Sequence, residues 1–213
     1  MNKDKTFKLP TKRQNLFLRV TQGHFATSHS HTNYYIDVTT QKTRLSEAKA
    51  VAQELLPYYD STTIVDTILC LDGTQVIATC LAEELTRGGH VNMNAHQTIY
   101  VMTPEHTAGS QLLLRDNLAP MVAGKHVLIL AASVTTGYTA LGAIQAVDYY
   151  GGRVAGVAAI FATTEEVGGH KVRSCFNPNN LPDYSSYLAH ECPQCKAGVR
   201  LDALVNGFGY SKI

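Results

Sequence analysis

The chain has 213 residues, 45% of them apolar and 16% charged, with 16 glycines and no tryptophan, a composition that excludes a disordered or collagen-like chain and suits one large domain or a domain with a short appendage. Eighteen Lys and Arg against 17 Asp and Glu leave a net charge of +1, so no global field draws the chain toward nucleic acid or anionic lipid and any anion site is local. No apolar run approaches the roughly 18–20 residues of a membrane span, and the opening MNKDKTFKLPTKRQ has no apolar stretch behind it. We therefore expect no membrane partner, no signal peptide and a cytoplasmic location. Five cysteines, with Cys70 and Cys80 in apolar segments, argue against a disulfide framework.

In chain order, residues 16–21 and 33–38 read as strands around a His/Ser/Thr-rich connection, and His24, His29 and His31 read there as surface histidines of a polar loop. Leu45, Ala48, Val51, Ala52 and Leu55 mark an amphipathic helix that Pro57 stops. Residues 64–70 form a short apolar strand, 71–74 a loop, and Val76, Ile77, Cys80, Leu81 and Leu85 a helical stripe ending at Gly88–Gly89. A strand at 98–102 precedes a stretch of mixed character, 103–124, which is a flap candidate. Residues 126–130 are a buried strand, 131–137 a polar turn, and Leu141, Ile144, Val147 and Tyr150 a helix closed by Gly151–Gly152. Residues 154–161 are again a buried strand. Strands apolar on both faces, joined by helices, predict an α/β fold with a mainly parallel sheet and ligands at the strands' carboxyl ends.

The turn Ser133-Val134-Thr135-Thr136-Gly137-Tyr138-Thr139 lies between a buried strand and a helix start. Main-chain N–H groups there meet the positive end of the helix dipole, Gly137 permits a left-handed backbone or close ligand approach, and the threonines add donors: a phosphate-binding design. The alternative is an ordinary helix capped by Thr136 or Thr139. A Walker A loop or a G-x-G-x-x-G loop is not present.

The segment 124–161, GKHVLILAASVTTGYTALGAIQAVDYYGGRVAGVAAIF, resembles the phosphoribosyl-diphosphate (PRPP) segment of type I phosphoribosyltransferases, with Thr135, Thr136, Gly137, Tyr138 and Thr139 at the 5′-phosphate loop. Tyr34-Tyr35-Ile36-Asp37, the strand and helix around Leu71-Asp72-Gly73-Thr74, and the Cys-Pro-x-Cys-Lys-x-Gly tail resemble orotate phosphoribosyltransferases in particular. The resemblance spans most of residues 15–200, and the phosphate loop is its specific part. It implies a hood-like N-terminal segment (1–44), a core (45–170) and a C-terminal extension (171–213) within a single phosphoribosyltransferase-like domain. It also implies Asp72, Gly73 and Thr74 beside the pyrophosphate, Tyr34 or Tyr35 near the base, Mg²⁺ arriving on PRPP, and a homodimer.

Two departures stand out. Where the family has an acidic pair holding the ribose hydroxyls, this chain has Ala131 and Ala132. The lost charge-assisted hydrogen bonds are worth roughly 1.5–3 kcal/mol each. Ser133 is placed to replace one hydroxyl contact, and restoring Asp at both alanines is expected to tighten ribose recognition if the pocket is otherwise intact. The flap, which carries lysines in orotate enzymes, offers only Arg115, with Glu105 and His106. The resulting expectation is a PRPP- or nucleotide-binding protein transferring phosphoribosyl to orotate or a related pyrimidine-like base, with Arg115 or His106 closing over the pyrophosphate. The alternative is a non-catalytic regulatory binder that kept the phosphate loop and lost the carboxylates.

Outside that constellation, Cys175, His190, Cys192 and Cys195 supply four soft or borderline ligands of the kind zinc accepts. The commoner reading of Cys-Pro-Gln-Cys is a reduced turn bent by Pro193, so zinc is not expected, and a redox role is weaker still because the pair does not open a helix after a strand. Glu165–Glu166 reads as a solvated loop, since adjacent carboxylates do not converge. Arg87, Lys125 and Arg153 are scattered without interleaved aromatics, so no nucleic-acid polymer is expected as a partner.

Overall fold

The computed structural model describes residues 6–11, 13, 15–59, 63–87, 93–94, 98–107 and 111–213. Its N-terminal part is a sheet of β1 (Thr6–Pro10), β2 (Phe17–Ala26) and β3 (His31–Asp37), paired antiparallel. The strand expected over 16–21 runs on to Ala26, because Thr21, His24, Phe25 and Ala26 are all buried and a register shift between Gln22 and Phe25 resets the alternation. The predicted polar connection is thus mostly hairpin, and only 27–30 turn, with the Thr27 amide donating to the Ser30 carbonyl at 2.7 Å. After α1 (Thr39–Thr43), α2 (Leu45–Leu55) buries the stripe expected of it, Ala48, Val51, Ala52 and Leu55, and Pro57 opens the 3-10 turn that ends it.

The core follows as β4 (Thr67–Cys70), α3 (Gln75–Thr86), β5 (Tyr100–Met102), the ribbon β6 (Glu105–His106) and β7 (Leu112–Leu113), β8 (His126–Val134), α4 (Tyr138–Tyr149), β9 (Arg153–Ala162), β10 (Glu166–Val167) and β11 (His170–Phe176). The sheet order is β10-β11-β9-β8-β4-β5, with every pair parallel except the β10–β11 hairpin. In β8 the alternation of period two is explicit. Leu128, Leu130 and Ala132 join the cluster containing Val51, Leu55, Ile77 and Leu81, whereas Val127, Ile129 and Ala131 join the one containing Ala143, Ile144 and Val147. Each large aliphatic side chain so buried stabilises the fold by about 1.5–3 kcal/mol, which is why the sheet is sealed on both faces.

Several boundaries move. The turn expected at 131–137 is still strand through Val134, because Ala131, Ser133 and Val134 pair with Ala159, Phe161 and Ala162 of β9. The strands expected at 64–70 and 98–102 begin at Thr67 and Tyr100. Gly88 and Gly89, named as the stop of α3, lie outside the described residues, as do 108–110 of the flap segment.

Beyond the core come β12 (Ser186–Tyr187), α5 (Pro193–Lys196), β13 (Ala203–Asn206) and β14 (Gly209–Lys212). β12 borders β3, and β13 pairs parallel with β2 through Ala203↔Phe25 and Leu204↔Ala26. The C-terminal extension therefore completes the N-terminal sheet, while β11, on the far side of the boundary expected at 170, belongs to the core sheet. Among the described residues no helix is long and apolar enough to cross a membrane.

Candidate functional site

The phosphate-loop candidate sits where β8 gives way to α4. Gly137 takes a left-handed backbone, φ 80°, as the residue preceding α4, and a Cβ there would lie 2.9 Å from Val167 Cγ2, so both conformation and space require glycine. Neither Thr136 nor Thr139 caps the helix, and the N-cap makes no side-chain hydrogen bond. The orphan first-turn amides thus belong to residues that line the cavity described next, Tyr138, Thr139 and Ala140. The loop's root is fixed from β9's end: Thr163 donates from its amide to the Val134 carbonyl at 2.9 Å and from its hydroxyl to the Thr135 carbonyl at 2.8 Å.

The loop forms one wall of a cavity of about 210 Å³. Ser133, Thr135, Thr136, Gly137, Tyr138 and Thr139 all line it, together with Ala132. The opposite wall is the β2–β3 hairpin tip, Thr27, Ser28 and His29, whose imidazole packs on the Tyr138 ring with centroids 5.0 Å apart. Tyr34 and Tyr35 line it from β3. The Tyr34 hydroxyl is already engaged, donating to the Pro182 carbonyl at 3.0 Å, and burial together with nearby Asp37 pushes the Tyr35 hydroxyl up to about 12. A third wall comes from Val205, Asn206 and Gly207 of the C-terminal extension.

Of the loop after β4, only Asp72 faces this cavity; Gly73 and Thr74 do not line it. Thr74 is fully buried, with its hydroxyl 2.9 and 3.0 Å from the Leu71 and Leu130 carbonyl oxygens, so it ties the loop to β8 instead of offering a donor to a ligand. Asp72 and Gly73 are both left-handed, φ 54° and 80°. This backbone turns the Asp72 carboxylate toward β8, where it accepts from the Ala132 amide at 3.4 Å. Burial pushes the Asp72 carboxyl up, opposed by that hydrogen bond and by the charges of Lys42 and His106. Lys42, which sequence reasoning missed, is buried and donates to the carbonyls of Asp72, at 2.7 Å, and of Gly207. A polar residue in a short helix gives no sequence signal for such a reach.

The remaining candidates separate. Ala131 does not line the cavity; it is 2% exposed in the α4-side cluster. Arg115 makes a bidentate exposed ion pair with Glu105, nearest approach 2.7 Å, and neither lines the cavity. His106, on the same ribbon, is exposed and does not line the cavity either. Glu166 is exposed on the two-residue β10 and Glu165 is exposed before it.

The four residues Cys175, His190, Cys192 and Cys195 do not come together as one ligand set. Cys175 lies in β11 with its Sγ turned to the Val51 carbonyl, 3.9 Å away, and His190 is exposed beside Glu191, so neither joins Cys192 and Cys195. Those two cysteines instead meet His24 and His31, whose ligand atoms all lie within 4.8 Å of one another. His24 is 1% exposed, not a surface histidine, because the extended β2 carries it beneath the C-terminal extension, and Cys192 does open a short helix as the residue before α5.

No protein-family model and no curated protein sequence matches the chain. Solved structures do. A phosphoribosyltransferase from Corynebacterium diphtheriae is 19% identical with a TM-score of 0.51, covering 76% of this chain and 90% of that one. The orotate phosphoribosyltransferase of Mycobacterium tuberculosis, in complex with Fe(III) dicitrate, is 19% identical with a TM-score of 0.52, covering 77% and 92%. An adenine phosphoribosyltransferase from Trypanosoma brucei, in complex with AMP, pyrophosphate and ribose-5-phosphate, is 13% identical with a TM-score of 0.52, covering 75% and 78%. The chain has the type I phosphoribosyltransferase fold, as the sequence resemblance implied.

Proposed function

We propose that the cavity binds PRPP or a nucleotide through its 5′-phosphate and that the protein transfers phosphoribosyl to orotate or a related pyrimidine-like base. The observation that carries this reading is Gly137, left-handed and opening the 12-residue α4 inside a cavity lined by Ser133, Thr135, Thr136 and Thr139. An anion at such a helix start gains about 0.3–1 kcal/mol from the dipole at the surface and up to ~2 kcal/mol when partly buried, beyond its hydrogen bonds to amides and hydroxyls. That the adenine enzyme of shared fold was solved with AMP, pyrophosphate and ribose-5-phosphate supports the ligand class.

In the transfer a base nitrogen bonds to C1 of PRPP while the C1–O bond to pyrophosphate breaks, through an oxocarbenium-like state. The protein needs no nucleophile; it positions the ligand and balances charge. Asp72, whose carboxylate lines the cavity beside the Ala132 amide, is in this reading the group positioned to stand in for the missing acidic pair, and it would offset the charge developing at C1. As the one carboxylate among the described lining residues, Asp72 would be the protein's contribution to a Mg²⁺ ion held mainly by diphosphate oxygens and water, and that ion would neutralise leaving-group charge. Tyr34 and Tyr35 would face the base. A homodimer, in which a partner's flap completes the site, belongs to the same reading.

A non-catalytic binder is favoured by one observation: Arg115, the flap's cation, is paired with Glu105 instead of standing free for a diphosphate. Calorimetric titration with PRPP, with and without Mg²⁺, together with pyrophosphate release over a panel of bases, separates the two. Release dependent on a pyrimidine-like base establishes the transferase, binding without release establishes the regulator, and no binding of PRPP or, in a parallel titration, of a nucleoside 5′-monophosphate defeats both.

A further inference from the structure

Away from the cavity, four side chains from three elements converge beneath the C-terminal extension. His24 comes from β2, His31 from the start of β3, and Cys192 and Cys195 flank the first turn of α5. His24 Nε2 lies 3.3 Å from His31 Nδ1, 3.4 Å from Cys192 Sγ and 3.6 Å from Cys195 Sγ, and Cys195 Sγ lies 3.2 Å from His31 Nδ1.

Hydrogen bonding alone does not account for this arrangement. His24 Nδ1 faces the Val199 carbonyl at 3.0 Å, and a carbonyl only accepts, so Nδ1 carries the proton and Nε2 of the neutral ring is left with a single lone pair. Three groups crowd that one lone pair. The spacing instead matches a coordination shell. A tetrahedron with Zn–N of about 2.0 Å and Zn–S of about 2.3 Å has N···N, N···S and S···S edges of about 3.3, 3.5 and 3.8 Å. The Val199 carbonyl supplies the outer-shell acceptor that fixes the tautomer of a ligating imidazole.

We propose that His24 Nε2, His31 Nδ1, Cys192 Sγ and Cys195 Sγ bind one structural zinc ion that clamps the β2–β3 hairpin to the C-terminal extension. On binding, the two thiols release their protons, and two thiolates with two neutral imidazoles leave the site uncharged, which suits a place where His24 and Cys192 are buried. Four protein ligands leave no open position, so the ion is structural. Its effect reaches the cavity through covalent continuity: the hairpin between the two histidines carries Thr27, Ser28 and His29, and the chain after α5 runs through Asp202, which accepts from the His24 amide at 2.8 Å, to the Val205–Gly207 wall.

The test is elemental analysis of full-length protein purified without a metal-affinity tag or chelator, with Co²⁺ as the spectroscopic probe. Wild type is expected to hold one zinc per chain, and metal-free protein titrated with Co²⁺ alone to show the intense visible bands of a tetrahedral thiolate site, saturating at one equivalent. Cys195→Ser and His31→Ala are expected to lose stoichiometric zinc. Cys175→Ser, at the cysteine outside the cluster, is expected to keep it. Wild-type protein without stoichiometric zinc, iron in zinc's place, a weak octahedral cobalt spectrum, or zinc loss in Cys175→Ser equal to that in Cys195→Ser would each overturn the assignment. These readouts need no PRPP, so they stand apart from the functional reading.

Discussion

Lys42 extends its ammonium from α1 to the main-chain carbonyl of Asp72, 2.7 Å away, and the same Nζ donates to the Gly207 carbonyl. One buried side chain thus joins the loop after β4 to the β13–β14 turn. Lys42→Met keeps the apolar stem but leaves both carbonyls without this donor, at a cost of about 1–3 kcal/mol for each one left unsatisfied. We expect a clear drop in melting temperature for the variant, and weaker PRPP binding because Asp72 loses its anchor. A melting curve superimposing on wild type would show that water replaces the ammonium without loss.

Asp72 predicts a trade between stability and binding. Burial raises its carboxyl pKa in the folded chain above the ordinary carboxylate value. The sign follows: folding favours the protonated form, that contribution is complete below the unfolded pKa, and it is lost as pH rises through the folded pKa. At neutral pH the ionised group weakens the fold. Asparagine tolerates the left-handed backbone at φ 54° and still accepts from the Ala132 amide. Asp72→Asn should therefore melt above wild type at pH 7, with the gap closing as the solution is acidified, while affinity for PRPP with Mg²⁺ falls. Unchanged affinity would remove Asp72 from the ligand site.

Gly137→Ala adds a left-handed cost of about 1–2 kcal/mol to a contact of 2.9 Å with Val167. We expect affinity for ribose 5-phosphate to drop roughly tenfold or more, about 1.4 kcal/mol. The double variant with Val167→Ala should recover part of the loss, because it relieves the contact and leaves the backbone penalty.

The alanines at the end of β8 answer differently from what the family pattern implies. Ala131 lies in the apolar cluster against α4, so Ala131→Asp buries an unpaired carboxylate and should destabilise by several kcal/mol. Ala132→Asp would set a second carboxylate beside that of Asp72, whose oxygen is 3.4 Å from the Ala132 amide. The two would share one proton near neutrality unless a cation joins them. Restoring both residues is thus expected to lower the melting temperature before any gain in ribose recognition, and differential scanning calorimetry of the single variants separates the two effects.

The parallel core was legible because its signals are local. Residues 126–130 and 154–161 are apolar on both faces, Leu45 to Leu55 repeats at helical spacing, and Gly137 follows a strand with hydroxyls around it. What the sequence hid depends on distant pieces meeting. β2 runs to Ala26 because β13 covers its edge; His24 is buried because α5 sits over it; Lys42 finds partners far away in the chain. The Cys192–Cys195 pair and the histidines at 24 and 31 each stand out in the sequence. Their meeting follows only from the pairing of the two chain ends, for which neither local segment carries a pattern.

That pairing orders events during synthesis. The core sheet is assembled from residues 67–176, but β2 finds a neighbour in β13 only after residues 203–206 have emerged. Contacts so distant along the chain form slowly, and loop closure must precede any gain from them. A nascent chain therefore holds the core sheet, and β2 paired with β1 and β3, before the Phe25–Ala26 end of β2 gains its β13 neighbour, an interval in which that short exposed edge invites wrong partners, and the cavity wall at Val205–Gly207 is among the last parts to form.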